Sequence, residues 1–152
     1  MRIERADAAS PEALALVNAY VAEVAATFPT GFDPNASVSA DPGELTPPRG
    51  AFLVIRDEAG VAVGCGGVKL LDNSTAEIKR MWLAPAARGR GMGRQLLTAL
   101  EETARALGAT EGRLDTNESL SAAVALYLSA GWHEVTAYND NSYATHWFGK
   151  PL

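Results

Sequence analysis

Cysteine is nearly absent from this chain, and long apolar runs are missing altogether. The single cysteine, Cys65, excludes an internal disulfide and any metal site built from several cysteines. It lies in a β-like run of small residues, so we expect a buried, unreactive thiol. No apolar run approaches the roughly 18 to 20 residues of a membrane span, and acidic and basic residues mix at the N-terminus. We therefore expect neither a membrane anchor nor an export signal, and a cytoplasmic protein.

Positive charge and histidine are also scarce. The formal net charge is -5 and the calculated pI is about 5.0, which argues against a general nucleic-acid binder. Any anion site must therefore be local. The two histidines, His133 and His146, have no ligand partner at a metal-binding spacing, so we predict no metal site.

Length and composition fit one domain. A chain of 152 residues with 47% hydrophobic residues can bury a substantial core. We predict a single domain over residues 1–152.

The first half of the chain predicts a helix followed by three antiparallel strands. Ser10 and Pro11 offer an N-cap and a proline in the first turn, and apolar residues recur at helical spacing to about Phe28. Three β-like runs follow, joined by short polar turns, and they span 51–57, 61–70 and 76–83.

The second half alternates strands and helices. A helix over 95–107 is closed by a glycine, a short strand follows at 112–116, and Asn117 or Ser119 can cap another helix that ends at a second glycine. The last two strand candidates are 132–138 and 144–150. This order predicts an α/β fold with a mixed sheet.

Residues 29–50 interrupt this pattern. The stretch is rich in proline and glycine and carries an isolated aromatic, Phe32. A loop of about 20 residues inside a compact domain often serves as a lid or binding loop, and a poorly ordered insert is the alternative. Under the first interpretation Phe32 is a candidate contact for a substrate.

The segment 88–94 is the strongest functional signal. Glycine removes side chains where a backbone must approach a ligand, arginine supplies fixed positive charge, and the segment directly precedes a predicted helix. Unpaired backbone N–H groups and the helix dipole at such an end favour phosphate oxygens. A glycine-rich turn with surface arginines is the alternative. The residues concerned are Arg88, Gly89, Arg90, Gly91, Met92, Gly93 and Arg94.

Two familiar phosphate loops do not fit this segment. The nucleotide P-loop needs a Gly-Lys-Ser/Thr ending, and the dinucleotide pattern needs a glycine where the chain has Arg94 or Leu96. The pattern that fits is Arg88-x-x-Gly91-x-Gly93 after a strand and before a helix. With Pro85 before it and Tyr127 followed by Gly131-Trp132, the chain resembles the GNAT superfamily of acyl-CoA-dependent N-acetyltransferases over most of its length.

The resemblance implies a fold and a coenzyme site. It implies a mostly antiparallel central sheet flanked by helices, with one parallel strand pair splayed at a bulge to admit acetyl-CoA as co-substrate, without a metal. The backbones of Met81 and Leu83 would bind the pantetheine arm, the amides from Gly89 to Arg94 would hold the pyrophosphate, and Asn117 would approach from the far side. The implied coenzyme contacts also include Trp82, Arg88, Ala123 and Tyr127.

The implied reaction is attack of a neutral amine on the thioester through a tetrahedral intermediate. A primary ammonium has a pKa near 10, so at pH 7 a base must remove a proton. Glu77 lies eleven positions before Arg88, where many family members have a catalytic carboxylate, and a water relay is the alternative. The Met81 N–H would stabilise the oxyanion. Tyr127 would protonate the departing thiolate.

The acceptor is less defined than the donor. In the family the final hairpin commonly borders the acceptor site, which makes Asn139, Asp140, Asn141 and Tyr143, with Glu77, candidates for binding a small-molecule or peptide amine. A polar hairpin turn is the alternative. Family members are often dimers, so a homodimer is compatible with the resemblance. Two competing functions are a non-catalytic acyl-CoA sensor or partner-binding domain and an unrelated nucleotide binder.

Overall fold

A computed structural model gives the structure of the protein and describes residues 1–29, 31, 33 and 41–152. Within these residues the chain forms three α-helices, two short 3-10 helices at Pro42–Leu45 and Pro85–Ala87, and a sheet of seven strands. The α-helices are α1 (Pro11–Thr27), α2 (Met92–Ala106) and α3 (Ser121–Ser129). The strands are β1 (Arg2–Ala6), β2 (Gly50–Arg56), β3 (Ala62–Leu70), β4 (Thr75–Leu83), β5 (Glu111–Thr116), β6 (His133–Glu134) and β7 (His146–Pro151).

The sheet is mixed and mostly antiparallel, as predicted. Its strand order is β1-β2-β3-β4-β5-β7-β6. Only the β4–β5 pair is parallel among the pairs of the described residues. A parallel connection needs a crossover, and α2 supplies it between β4 and β5.

The helices cover both faces of the sheet, and β2 shows why. Phe52 and Val54 pack with Leu16 of α1, whereas Leu53 and Ile55 pack on the other face with the apolar side of α2. Successive strand residues point to opposite faces, so a strand buried on both sides is a continuous apolar run. The absence of a side chain at Gly66 of β3 lets α2 pack closely on the sheet. A Cβ at this position would lie only 2.7 Å from Leu100.

The start of α1 confirms its predicted cap, but other boundaries differ. Ser10 Oγ accepts a hydrogen bond from the N–H of Ala13 at 3.2 Å. Helix α2 begins at Met92 rather than at residue 95, since Met92 is buried and adds to its apolar face. The last glycine of the phosphate-loop candidate therefore lies inside the first helical turn.

Helix α3 is not capped as predicted. Its N-cap is Leu120, which makes no side-chain cap bond. Asn117 instead donates its amide to the carbonyl oxygen of Tyr143 at 2.7 Å, and its Oδ1 accepts from the N–H of Ser119. The local sequence predicts that the Asn117 side chain caps the helix. In the structure this side chain instead holds the chain after β6.

Two strand assignments were also wrong. Sequence analysis did not predict β1, whose apolar content is low because it is an edge strand; Arg2 and Glu4 form ion pairs there, and Glu4 also binds Arg56 of β2. The strand predicted over 132–138 shortens to His133–Glu134. The polar residues after it leave the ladder to form a loop against the end of β5.

Candidate active site

The central feature of the site is an opening between the parallel strands β4 and β5. Their register covers only Thr75–Glu77 against Glu111–Arg113, although β4 continues to Leu83. Beyond Glu77 the two strands part. The opening leaves backbone groups of both strands accessible at their carboxyl ends, where ligands commonly bind in sheets with parallel strands.

A β-bulge in β4 shapes one wall of this opening. In the β3–β4 register Cys65 faces Trp82 and Gly67 faces Lys79, so Arg80 and Met81 together oppose one residue of β3. Arg80 has a φ of 59°, in the left-handed region. The extra residue reverses the alternation of side chains, so that Met81 shares the face of Ile78, although the two are three positions apart.

Cys65 supports the bulge from β3. It is fully buried, and its thiol donates a hydrogen bond to the carbonyl oxygen of Arg80 at 3.4 Å. Burial raises the pKa of this thiol to about 12. The predicted buried thiol is confirmed, and it has a structural contact at the site rather than a nucleophilic character.

Two cavities meet at the opening. The first, which we call the donor cavity, has a volume of about 310 Å³ and reaches Trp82, Leu83, Arg88 and Gly93. The second, the acceptor cavity, has a volume of about 90 Å³ and reaches the ends of β4 and β5 and the loop before β7. The residues that line both are Tyr20, Met81, Leu120, Ala123 and Tyr127.

The glycine segment adjoins the donor cavity, which Arg88 and Gly93 line. Gly89 and Gly91 have φ values of 79° and 76°, and Gly91 is the N-cap of α2. A Cβ at either position would meet nothing within 4 Å, so glycine is favoured by backbone conformation and the space beside it is open. The unpaired N–H groups of the first turn of α2 and the positive end of the helix dipole lie at this end of the helix. The anion cradle over this segment stays a prediction.

Arginine side chains of the segment differ in their contacts. Arg88 bonds Glu23 of α1 at 2.6 and 2.8 Å and the carbonyl oxygen of Leu83 at 2.8 and 3.0 Å. The hydrogen bond from Arg88 lowers the pKa of Glu23, which also accepts from the indole of Trp82. Arg94 donates to Ser129 of α3 at 2.6 Å, while Arg90 is exposed. Arg88 thus links α1 to the first residue of the glycine segment.

Tyr127 lies where the two cavities join. It is 7% exposed, its ring packs against Trp132 and Phe148, and its hydroxyl lies 3.9 Å from the sulfur of Met81. Burial raises its pKa, so the phenol is protonated at neutral pH. A protonated hydroxyl at this point can donate a proton or a hydrogen bond to a group in the opening.

Glu77 is the last residue of β4 that pairs with β5, and it is 1% exposed. One carboxylate oxygen accepts a hydrogen bond from Tyr138, and the other lies 3.4 Å from Nζ of Lys79. Burial and then the charge of Glu77 raise the pKa of Tyr138. Lys79 lines the acceptor cavity, and Glu77 is behind it. Any proton exchange between Glu77 and the cavity must therefore pass an intervening group.

Comparisons with known proteins agree with this geometry. A family model described as the acetyltransferase (GNAT) family matches residues 16–132. The chain belongs to the GNAT family. It is 38% identical over 89 residues to an IAA acetyltransferase of Azospirillum brasilense, a match that spans 58% of this chain and 58% of the relative. The aligned segment is thus less than two thirds of that relative.

Solved GNAT-type structures extend the likeness to the whole fold. A Klebsiella pneumoniae protein assigned to the acyl-CoA N-acyltransferases is 29% identical, with a TM-score of 0.78 over 99% of this chain and 97% of its own. A GNAT family acetyltransferase of Elizabethkingia anophelis, solved with acetyl-CoA bound, is 16% identical with a TM-score of 0.70 over 99% and 97%. The predicted GNAT fold, with its splayed parallel pair, is confirmed.

A hydrogen-bonded network around Asp115, at the end of β5, borders the acceptor cavity. Its Oδ2 accepts from the amide of Asn139 at 2.6 Å and its Oδ1 from the amide of Asn141 at 3.3 Å. Asn139 Oδ1 in turn accepts from the indole of Trp147 at 3.0 Å. The network fixes the carboxylate of Asp115 at the wall of the acceptor cavity.

The other residues predicted for the acceptor lie at different depths. Asn141 and Tyr143 line the acceptor cavity, Asn139 lies one layer behind, and Asp140 is exposed. Asn117 lines the acceptor cavity as well, rather than the donor cavity for which the resemblance proposed it. Phe32 lies outside the described residues.

Two residues of the site, Tyr20 and Asp115, were not predicted from the sequence. Tyr20 of α1 lines both cavities, and burial raises its pKa, with Arg80 opposing and Asp115 adding to the shift. Its helical spacing is that of any apolar residue of α1. Asp115 offered the one available signal, because an acid at the carboxyl end of a strand with a parallel neighbour is a frequent ligand position.

In the part of the chain that the structure describes, no group of three or more histidine, cysteine, aspartate or glutamate side chains is placed to hold a metal ion. None of the described helices is long and apolar enough to cross a membrane.

Proposed function

We propose that the protein is an N-acetyltransferase that moves the acetyl group of acetyl-CoA to a primary amine of a small molecule or peptide. The observation that carries the proposal is the meeting of two cavities at Met81 and Tyr127, where β4 and β5 part. One cavity is lined by Arg88 and Gly93 of the predicted anion cradle, and the other by the carboxylate of Asp115. A thioester and an amine entering from the two sides would meet beside Tyr127.

On the donor side, coenzyme A would be held mainly by the backbone. The pyrophosphate would bind the N–H groups from Gly89 to Arg94, at the positive end of the α2 dipole. The pantetheine arm would extend along β4 at Met81 and Leu83, in the space that a further parallel strand would occupy. Trp82 and Ala123 line the same cavity and would contact the arm. A contact from Asn117 remains a prediction.

The chemistry would proceed in two steps. The neutral amine attacks the carbonyl carbon of the thioester, a C–N bond forms, and the oxyanion accepts a hydrogen bond from the Met81 N–H. The C–S bond then breaks, and Tyr127 donates its proton to the departing sulfur. The proton lost by the amine restores Tyr127 through solvent, so the products are an N-acetyl amine and free coenzyme A.

Glu77 is our candidate for the general base, acting through water. Its carboxylate is buried behind Lys79, at the point where β4 and β5 part. A direct transfer would require the amine to displace Lys79, whereas one bridging water satisfies the reach expected of a base. Asp115 lines the cavity directly and is the competing candidate.

Thiol release with a panel of primary amines tests the proposed function. We expect free thiol in proportion to an N-acetyl product identified by mass spectrometry, and release that depends on both acetyl-CoA and the amine. Binding of acetyl-CoA without release above the rate of hydrolysis, for every amine tried, would instead indicate a sensor. Thermal stabilisation by ATP or NAD but not by acetyl-CoA would contradict a coenzyme A site.

A further inference from the structure

Tyr20 lines both cavities of the site and lies on the inward face of α1. Leu16 and Val24, four positions before and four positions after it, are 7% and 2% exposed. Residues four positions apart share one face of a helix, so the ring of Tyr20 faces the sheet beside the opening between β4 and β5. The fold therefore brings a second phenol, in addition to that of Tyr127, to the junction of the two cavities.

The hydroxyl of Tyr20 has no hydrogen-bond partner among the residues that the structure describes. By contrast, the hydroxyl of Tyr138 donates to Glu77. The hydroxyl of Tyr143 accepts from the N–H of Asp33 at 3.0 Å. Tyrosine hydroxyls inside proteins usually have a partner, so a phenol with one donor and two lone pairs at this junction is suited to contact a ligand.

The hydroxyl of Tyr20 lies within reach of charges on the acceptor side. Burial raises the pKa of Tyr20, the charge of Arg80 opposes this shift, and the charge of Asp115 adds to it. Arg80 and Asp115 line the acceptor cavity rather than the donor cavity. Charges act most strongly over short distances, so the phenol lies close to the acceptor side and is protonated at neutral pH.

Asp115 offers a second hydrogen-bond acceptor in the same cavity. Asn139 and Asn141 donate to its carboxylate, at 2.6 and 3.3 Å, and hold it in one orientation. Each carboxylate oxygen has a second lone pair with which it can accept a further hydrogen bond. The acceptor side therefore presents a carboxylate and a phenol oxygen to one bound ligand.

A neutral primary amine matches these two hydrogen-bond acceptors. Its nitrogen carries two N–H donors and one lone pair, and attack on a thioester uses the lone pair. Hydrogen bonds from both N–H groups, to Asp115 and to Tyr20, would orient the nitrogen and leave its lone pair directed toward the thioester. A secondary amine carries one N–H group and leaves one of the two acceptors without a partner, which lowers its affinity.

We infer, on the basis of the proposed acetyltransferase function, that the hydroxyl of Tyr20 accepts a hydrogen bond from the acceptor amine, holds its nitrogen together with Asp115, and thereby selects primary over secondary amines. Tyr20 contacts the nucleophile and takes no proton from it, so the bonds and proton transfers of the proposed reaction are unchanged. Helix α1 thus has a direct part in acceptor recognition.

Matched pairs of amines test this inference. The set contains ethanolamine, glycinamide, putrescine and the most reactive primary amine of the functional panel, each with its N-methyl counterpart, assayed by thiol release at saturating acetyl-CoA. An N-methyl amine that is not turned over is measured by its Ki against the reacting primary amine. In Tyr20→Phe we expect kcat/KM to fall about tenfold for the primary amines, and kcat/KM or Ki to change less than about threefold for the N-methyl amines.

Two controls accompany Tyr20→Phe. The Kd for acetyl-CoA, measured by calorimetry, should be unchanged, because the substitution keeps the ring that lines the donor cavity. Asn18→Ala, at an exposed position of α1, should leave both members of each amine pair as in the wild type.

The outcomes separate the inference from the function on which it rests. Unchanged kcat/KM for the primary amines in Tyr20→Phe, or equal losses for primary and N-methyl amines, overturns the inference and leaves the acetyltransferase function standing. A rise in the Kd for acetyl-CoA would assign Tyr20 to the donor side or to the fold, and also overturns it. Failure of every amine to release thiol with the wild type contradicts the proposed function, and the inference with it.

Discussion

The two cavities of the cleft differ in the groups that they offer to a ligand. The donor cavity reaches Gly93 at the start of α2 and Trp82 and Leu83 at the open edge of β4, where our proposal assigns mainly backbone contacts to coenzyme A. The acceptor cavity is bounded by Lys79, Arg80, Asp115 and the amide side chains that hold Asp115. Backbone recognition suits a ligand common to a whole family, whereas side-chain recognition can change with each acceptor.

Tyr127 belongs to both sides, so its removal should have the largest effect. We expect Tyr127→Phe to lower kcat well over tenfold, because the departing thiolate loses its proton donor. Binding of acetyl-CoA, measured by calorimetry, should be retained. Tyr143→Phe, which removes a hydroxyl from the acceptor cavity alone, is the control and should leave kcat within about threefold. Unchanged turnover in Tyr127→Phe would remove this residue from the mechanism.

Glu77 and Asp115 offer a way to decide on which side the amine loses its proton. We expect Glu77→Gln to lower kcat about tenfold, less than the roughly hundredfold or larger loss typical of a general base, because water can carry part of the transfer. Asp115→Asn should act mainly on KM. A larger loss of kcat in Asp115→Asn than in Glu77→Gln would move the base to the acceptor cavity.

Gly91→Ala should weaken the donor side alone. A left-handed conformation costs an alanine about 1–2 kcal/mol, so the cradle should shift and the Kd for acetyl-CoA rise about tenfold. KM for the acceptor should change little. Gly60→Ala is a matched control, because Gly60 has a φ of 82° in the β2–β3 turn, and its Cβ also meets nothing within 4 Å. Equal changes of Kd in the two variants would show that the effect is general destabilisation.

Asn139→Ala should weaken the acceptor side alone, by a smaller amount. It removes one hydrogen bond to Asp115 and the acceptor of the Trp147 indole, each worth about 1 kcal/mol. We expect KM for the acceptor to rise a few-fold with the Kd for acetyl-CoA unchanged. Asp140→Ala, at the exposed neighbouring position, should match the wild type. An increase in the Kd for acetyl-CoA in Asn139→Ala would contradict the separation of the two sides.

The same contrast explains what could be predicted from sequence. The donor side depends on local pattern: glycines at 89 and 91 adopt the positive φ that their residue type permits, next to a helix whose apolar spacing is regular. Most strands of the sheet could be predicted from β-like runs separated by short turns. Strand β1 was missed because it is a charged edge strand that is held by backbone pairing with β2, so it lacks an apolar pattern.

The acceptor side depends on long-range contacts and was predicted only in part. Asp115, Asn139 and Trp147 are brought together by the pairing of β5 with β7, which no local pattern encodes. The left-handed Arg80 follows from one extra residue in β4 that the sequence alone does not reveal. Asparagine often caps a helix, but the amide of Asn117 donates a hydrogen bond to the backbone of Tyr143, in the chain before β7.

Methyl NMR of the methionines tests the central claim, that donor and acceptor meet at Met81 and Tyr127. The chain has three methionines, and Met81 alone is placed where the two cavities join, with Met92 at the start of α2 and Met1 exposed. With methyl-¹³C methionine, titration with acetyl-CoA and separately with an acceptor amine should each shift Met81, while Met1 stays fixed. Binding of both ligands by calorimetry with an unshifted Met81 would contradict the account.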